Sequence, residues 1–153
     1  MGEGIDTVFA DIGGAGCYLR GNIENLVLLG ATRFGVGNDL ANAITGSAQA
    51  NWLLGGAGDD TLTGGAGDDV LFGEAGADVF IFARGCGRDV ISDFAPGTDQ
   101  FRLIGISLDD AAAVLAAATQ DGDSLLIDLG QGDVVLLLGV ARDAVQARDF
   151  LLA

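Results

Sequence analysis

The chain has 153 residues, including 26 glycines and one proline, and half of its residues are hydrophobic. Its 22 acidic residues against seven basic ones give a net charge of −15, which argues against nucleic acid and anionic membranes as partners and favours multivalent cations. Because histidine is absent, a Ser-His-Asp triad, a Cys-His pair and a zinc–histidine site are excluded.

The N-terminal segment MGEGIDTVFADIGG has neither the basic nor the apolar region of a Sec signal peptide. No stretch of the chain approaches the roughly 20 apolar residues that a membrane-spanning helix needs. Cys17 and Cys86 lie far apart and form no metal-binding spacing, so the sequence favours two buried free thiols over one disulfide but does not decide between them.

Residues 37–92 repeat a nine-residue pattern. The blocks are GNDLANAIT, GSAQANWLL, GGAGDDTLT, GGAGDDVLF and GEAGADVFI, followed after a two-residue insertion by the weaker RGCGRDVIS. Position 8 is always apolar and position 6 is always Asn or Asp, which identifies a repeat architecture. The position-6 residues are Asn42, Asn51, Asp60, Asp69, Asp78 and Asp89.

One block predicts a short strand around position 8 and a tight turn through the glycines at positions 1, 2 and 4. A single block cannot bury its apolar residue, whereas stacked blocks can. If turns alternate between two edges, two blocks make one coil of a flattened parallel β-roll, and each block stacks on the next but one.

This stacking predicts a cation site. Asp60 then lies beside Asp78, and Asp69 beside Asp89, with no basic residue near enough in sequence to compensate the repulsion. Hard oxygen ligands in a flexible cage suit Ca²⁺ better than Mg²⁺. We therefore predict two or more calcium ions per chain, weaker cages at Asn42 and Asn51, and solvent-facing Asp59 and Asp68. The predicted metal-site residues are Gly56, Gly58, Asp60, Gly65, Gly67, Asp69, Gly73, Ala75, Gly76, Asp78, Asp89, Asp93 and Asp99.

After residue 101 the pattern changes. Ser107 and Asp110 predict the start of a short amphipathic helix in SLDDAAAVLAAATQ, with Ala111, Val114, Leu115 and Ala118 as its apolar stripe. SLLIDLGQGDVVLLLG predicts a hairpin that turns between Gly130 and Asp133. A last short turn or helix near Asp143 leads to RDFLLA at the terminus.

The blocks resemble the G-G-x-G-x-D-x-U-x nonapeptide of RTX (hemolysin-type) calcium-binding proteins, and GGAGDDTLT and GGAGDDVLF match it at every position. GIDTVFADI and NIENLVLLG look like the strands that precede RTX arrays, and GRDVISDFAPGTDQFRL looks like the segment that follows the array in serralysin-type proteases. The resemblance implies one RTX domain over residues 1–153: leading strands at 1–36, a right-handed parallel β-roll at 37–92, and a C-terminal capping and secretion-signal region at 93–153.

The outer faces of the predicted roll differ. One face presents Trp52, Leu54, Val70 and Phe72, and the other is rich in threonine. The first face is too apolar to remain exposed. We expect the N-terminal strands or the C-terminal helix and hairpin to cover it, with a binding platform as the alternative.

The resemblance implies a secreted, extracellular protein whose C-terminal calcium-folded module leaves a bacterium through a type I exporter, attached to an upstream catalytic or repeat domain. The exporter would read an acidic residue followed by a hydrophobic terminus, here Asp149, Phe150, Leu151 and Leu152. The same residues also fit an edge strand that simply packs. Two alternatives stay open: a stand-alone structural or adhesive calcium-binding protein, and a small carboxylate-based enzyme.

Overall fold

Short strands alternating with turns wind the chain into a flattened roll with two facing sheets. The computed structural model describes residues 4–106 and 111–152. Sheet A is parallel throughout and contains, in spatial order, β1 (Thr7–Ala10), β3 (Asn25–Leu28), β5 (Ala43–Thr45), β7 (Thr61–Thr63), β9 (Val79–Ala83), β11 (Gln100–Ile104) and β15 (Phe150–Leu152).

Sheet B forms the opposite wall. Its spatial order is β2 (Gly16–Tyr18), β4 (Phe34–Val36), β6 (Trp52–Ala57), β8 (Val70–Ala75), β10 (Arg88–Ile91), β14 (Asp133–Leu137), β13 (Ser124–Gly130) and β12 (Ala118–Asp121). The strands pair in parallel from β2 to β14, and β12, β13 and β14 form an antiparallel meander. The fold is therefore the predicted parallel β-roll.

The register places each block on the next but one, as predicted. Leu62 pairs with Ile44 on one side and with Phe80 on the other, which is a spacing of 18 residues. The position-8 side chains point inward from both sheets and stack into one core, because they come from equivalent points of successive coils. Ile44, Leu53, Leu62, Leu71, Phe80 and Ile91 are at most 1% exposed.

The N-terminal strands continue the same roll. Thr7 pairs with Asn25 and Gly16 with Phe34, so the 18-residue spacing of the repeats already holds there. Strand pairing satisfies the backbone N–H and C=O groups of these segments, and they therefore extend the sheets along the roll axis.

The predicted cover of the apolar outer face is wrong. On this face of sheet B, Trp52 is 50% exposed, Phe34 41% and Tyr18 64%. The rings of Phe34 and Trp52 lie 6.2 Å apart and those of Trp52 and Phe72 6.3 Å apart. The N-terminal strands and the hairpin could have shielded these rings, but both join the sheet edge to edge instead.

The C-terminal region closes one end of the roll. Helix α1 (Ala111–Ala116) buries Val114 completely, while Ser107 and Asp110 lie outside the described residues. The predicted continuation of the helix to residue 120 is wrong, because β12 pairs with β13 from Ala118 onward. The hairpin turn is confirmed, with Gly130 paired to Asp133 and positive φ at Gln131 and Gly132.

Both cysteines are free, as the sequence favoured; Cys86 is buried and Cys17 half-buried. Burial raises the pKa of the Cys86 thiol to about 12, so it stays protonated. Within residues 4–106 and 111–152, every helix falls short of the length and apolar character that a membrane span requires.

Candidate metal centre

The position-6 aspartates lie where each turn meets the following strand, on the two edges of the roll. Asp60 and Asp78 precede strands of sheet A on one edge, and Asp69 and Asp89 precede paired residues of sheet B on the other. All four side chains are at most 2% exposed. The sequence places them there because the glycines before them turn the chain sharply and the apolar residue after them enters the core.

One oxygen of each carboxylate fixes the stacking of the coils. The backbone N–H of Asp60 donates to Oδ1 of Asp78 at 2.9 Å, and that of Asp69 donates to Oδ1 of Asp89 at 3.0 Å. The same bond joins Asn42 to Asp60 and Asn51 to Asp69, each at 2.7 Å. These bonds bring the predicted pairs together in the predicted register.

The other oxygen of each carboxylate has no partner. Oδ2 of Asp60, Asp69, Asp78 and Asp89 is buried without a hydrogen bond. Buried polar atoms in native proteins are nearly always hydrogen-bonded or in contact with an ion, and an uncompensated buried charge is strongly destabilising. These four oxygens therefore mark positions where a cation fits.

The electrostatics of the site agree with this interpretation. Burial raises the pKa of Asp60 and of Asp89 to about 7 and that of Asp69 to about 6, from an ordinary value of 3.8. Burial also raises the pKa of Asp78, and the nearby Asp99 carboxylate adds to this effect. A divalent cation would reverse these shifts, because it stabilises the charged carboxylates.

The predicted turn glycines shape the space around these oxygens. Gly56, Gly58, Gly65, Gly67 and Gly76 all have positive φ, between 105° and 156°. Backbone carbonyls of the neighbouring coil lie against them: a Cβ on Gly58 would stand 2.8 Å from the Leu40 oxygen, and one on Gly67 3.1 Å from the Gln49 oxygen. Carbonyl oxygens and carboxylates thus meet within each turn.

The position-1 glycines matter more than the sequence analysis recognised. Gly55 and Gly64 were not among the predicted site residues, whereas Gly73 was. A Cβ on Gly64 would lie 2.8 Å from Cγ of Asp69, and its closest contact would be the unpartnered Oδ2. Gly55 and Gly73 stand in the same relation to Asp60 and Asp78. The sequence did contain an indication of this role, since glycine is the first residue of five of the six blocks.

The remaining predicted site residues lie at the boundary of the array. Asp99 is 3% exposed and accepts hydrogen bonds from Asp78 N–H at 3.1 Å and Ala95 N–H at 2.8 Å. Exposed Asp93 accepts the N–H groups of Gly73 and Glu74. The carbonyl of Ala75 accepts the Gly58 N–H at 2.8 Å. Asp93 and Asp99 thus close the last turn with hydrogen bonds.

Asp133 plays the same part on the opposite edge, and sequence reasoning placed it only in the hairpin turn. Its carboxylate accepts Gly85 N–H at 3.0 Å and Gly87 N–H at 3.1 Å. No sequence pattern predicted this contact, because Asp133 lies outside the repeat and 46 residues from Gly87.

The position-5 aspartates are exposed, as expected, and they also accept hydrogen bonds from the backbone of the next coil. Asp59 accepts the Ala77 N–H at 2.9 Å, and Asp68 accepts the Arg88 N–H at 3.0 Å. Each therefore links two coils at the surface while its neighbour at position 6 is buried.

The residues present fit calcium. Two carboxylates on each edge have a free buried oxygen, and backbone carbonyls line the same turns. Among residues 4–106 and 111–152, no three Asp, Glu, His or Cys side chains converge on one point. A cation here would consequently take backbone carbonyls as well as carboxylates, which is a hard-oxygen ligand set that suits Ca²⁺.

Comparison with known proteins decides the family of the repeats. The sequence model of the RTX calcium-binding nonapeptide repeat, four copies, matches residues 35–70 and 45–80. The nonapeptide array belongs to the RTX calcium-binding repeat family. RTX repeats bind calcium, so the chain contains a calcium-binding module.

The chain is also similar to parts of two larger enzymes. The chain is 44% identical over 132 residues to the endo-1,3-1,4-beta-glycanase EglC of Rhizobium meliloti (strain 1021), covering 86% of this chain and 26% of the glycanase. The extracellular lipase LipA from Serratia marcescens is similar with a TM-score of 0.52 and 32% identity, over 82% of this chain and 22% of the lipase. The chain therefore spans about a quarter of either enzyme.

A third relative has nearly the size of this chain. The AlgE6R2 subunit of the Azotobacter vinelandii mannuronan C5-epimerase is similar with a TM-score of 0.55 and 27% identity, over 77% of this chain and 91% of the subunit.

We predict that the two adjacent aspartates of one RTX block differ in function. Asp69→Ala removes a buried carboxylate with a free oxygen and should abolish about one calcium ion per chain. Asp68→Ala removes one exposed hydrogen bond, which contributes about 0.5–1.5 kcal/mol, and should keep the ion count. Isothermal titration calorimetry measures both, and equal losses of calcium binding would show that the assignment of position 6 is wrong.

We also predict that acid stabilises the calcium-free RTX roll. The folded pKa values of about 6 to 7 lie above the ordinary 3.8, so the folded state binds more protons than the unfolded state between about pH 4 and 7. This stabilisation is complete below the ordinary pKa and is lost as the pH rises through the folded pKa values. Circular dichroism of chelator-treated protein should therefore show more β-structure at pH 5 than at pH 8.

The calcium-loaded protein supplies the control, because protons compete with calcium and acid should lower its stability. A calcium-free spectrum that does not change between pH 8 and pH 5 would contradict the prediction.

Proposed function

We propose that this chain is the calcium-folded, non-catalytic C-terminal module of a secreted bacterial protein. The observation that carries the proposal is the set of four buried carboxylate oxygens without hydrogen-bond partners, two on each edge of the roll. Without a cation, folding would bury four uncompensated groups that repel one another. With calcium, the same groups hold successive coils together.

Calcium then acts as the folding trigger. Extracellular calcium modules bind with dissociation constants of about 10⁻⁴–10⁻³ M, which is far too weak to be filled in the cytosol. The repeats that carry the buried aspartates would stay open inside the cell, where an exporter can thread them. Outside, calcium binds only the folded roll and stabilises it by mass action.

Support for export through a type I exporter comes from the C-terminus together with the fold. Asp149 is 1% exposed and accepts the N–H groups of Gly97 and Gln146, and Phe150 stacks on Phe101 with ring centres 5.3 Å apart. A signal built from these residues is available to an exporter only before the roll closes. The two interpretations of the terminus are therefore compatible, because the residues would act as a signal before folding and pack as an edge strand after it.

The environment of the carboxylates favours binding over catalysis. Each buried carboxylate of the array uses Oδ1 to accept a backbone N–H, and Oδ2 lies in the closed space between turns. General acid–base catalysis requires that a substrate can reach the carboxylate and that a proton acceptor is positioned beside it. We place any hydrolytic activity in another part of the parent protein, since the glycanase and the lipase are matched over 26% and 22% of their lengths.

A second candidate function is that of an extracellular structural or adhesive calcium-binding protein. The exposed rings of Tyr18, Phe34 and Trp52 on the outer face of sheet B favour it, because an exposed apolar patch can mark an interaction surface. Such a surface serves a module and a stand-alone protein equally, so this alternative stays second.

We expect folding to require calcium. Far-UV circular dichroism should show disorder in the repeats that carry the buried aspartates in excess chelator, and a gain of β-structure as calcium rises to millimolar concentration. Magnesium at the same concentrations is the control and should produce little change, because it keeps its waters and demands octahedral geometry. A spectrum and melting temperature that stay constant across the calcium titration would refute the proposal.

We further expect export to depend on the C-terminal strand. The chain fused behind a reporter should appear in the medium of a bacterium that expresses a type I exporter, and deletion of residues 149–152 should retain it in the cell. Deletion of residues 4–6 at the opposite end is the matched control and should leave export unchanged. Equal export of both deletions would contradict a C-terminal signal.

A further inference from the structure

The two turns before the calcium-binding blocks are closed in a different way. Asn42 and Asn51 take the place in their blocks that Asp60 and Asp69 take in the next coils, and they are 3% and 0% exposed. An asparagine differs from an aspartate at this position by one group, an NH₂ donor in place of a second acceptor oxygen.

At Asn51 that donor is satisfied within the protein. Its Nδ2 donates to the Thr32 carbonyl of the preceding coil at 2.9 Å, while Oδ1 accepts the Ser47 N–H at 2.6 Å. Oδ2 of Asp69 lies in the same place as Oδ1 of Asn51, against the first glycine of its own turn, and has no partner. The amide thus bridges to the preceding coil without an ion.

On the other edge, Asn42 repeats the arrangement. Its Nδ2 donates to the carbonyls of Ile23 and Glu24 at 3.3 and 3.2 Å, and Oδ1 accepts the Asn38 N–H at 2.7 Å. Asn38 adds a second bridge, because its own Nδ2 donates to the Ile23 carbonyl at 2.8 Å.

Thr32 extends this pattern one coil towards the N-terminus. The side chain is fully buried, and its Oγ1 donates to the Ala10 carbonyl and accepts the Ile12 N–H, both at 3.0 Å. Hydroxyl and amide groups therefore tie together the first three coils.

Backbone conformation and net charge also differ between the coils up to residue 54 and the coils that follow them. No residue from Gly37 to Asn51 has positive φ, whereas Gly56 and Gly58 in the next turn both have φ of 111°. Residues 5–54 carry four acidic and two arginine side chains, against nine acidic and three arginine side chains in residues 55–104. Self-repulsion is consequently weaker in the first segment.

We propose that Asn42, Asn51 and Thr32 make the coils up to residue 54 independent of calcium, and that these coils form a template on which the calcium-binding coils add. Neutral hydrogen bonds between coils need no ion, and the described part of this segment contains no buried carboxylate without a partner. The choice of amide or carboxylate at position 6, together with the backbone of the turn before it, then decides whether a turn needs calcium. The inference adds to the proposed calcium-driven folding by naming the segment that does not require it.

Amide hydrogen exchange of the full chain, read by mass spectrometry in excess chelator and in millimolar calcium, tests the template. In the wild type, β3, β4 and β5 should be protected in both conditions, and β7, β8 and β9 only in calcium. Asn51→Asp keeps the shape and the acceptor Oδ1 but removes the donor. In chelator it should speed exchange in β4 and β5 about tenfold to hundredfold, because a buried carbonyl loses its partner.

Gln49→Ala is the matched control in the same turn. The Gln49 side chain is exposed and bonds only to the neighbouring Ala48 carbonyl, so its removal should leave exchange unchanged. Protection of β7 to β9 in calcium shows that each variant still folds.

The outcomes separate this inference from the proposed function. Fast exchange of β3 to β5 in chelator, with calcium-dependent protection of β7 to β9, would overturn the template and leave calcium-driven folding intact. Equal protection of wild type and Asn51→Asp in chelator would overturn the role of the amide. Full protection of β7 to β9 in chelator would overturn calcium-driven folding, while protection of β4 and β5 that depends on Asn51 would still support the template.

Discussion

The structure depends on carboxylates that the fold buries without giving them enough hydrogen-bond donors. Each coil must stack closely on the next, since only stacking covers the single apolar side chain that a block contributes to the core. Close stacking brings the position-6 aspartates into the turns, where Oδ1 receives a backbone N–H and Oδ2 receives nothing. In the proposed function, a cation supplies what the polypeptide lacks and thereby couples folding to calcium through the geometry of the turns.

This constraint holds over only part of the roll. Towards the N-terminus, Asn51 and Thr32 replace the carboxylate by groups that donate hydrogen bonds. Towards the C-terminus, Asp99 and Asp133 accept backbone N–H groups with both oxygens. The segment with unpartnered carboxylate oxygens is thus flanked on both sides by turns in which hydrogen bonds satisfy the side chains. The proposed template accordingly localises the calcium requirement in the middle of the chain.

The roll also leaves surface that its own chain does not cover. Segments with unpaired backbone groups gain more from joining a strand edge than from lying across a sheet face, because edge pairing satisfies N–H and C=O groups in a regular ladder. The N-terminal strands and the C-terminal meander both follow this rule. Trp52 and Phe34 therefore stay at the surface of a protein with a net charge of −15.

The sequence by itself determined the repeat, the parallel roll, the pairing of Asp60 with Asp78 and of Asp69 with Asp89, and the hairpin, because a fixed period sets which residues stack and a glycine fixes where the chain turns. Only the tertiary structure decided that β12 replaces the end of the predicted helix, that Trp52 stays exposed, and that Asp133 closes a turn 46 residues away. These features depend on which partner a strand edge or a backbone N–H finds in space, and a local sequence pattern contains no information about a partner that lies outside the repeat.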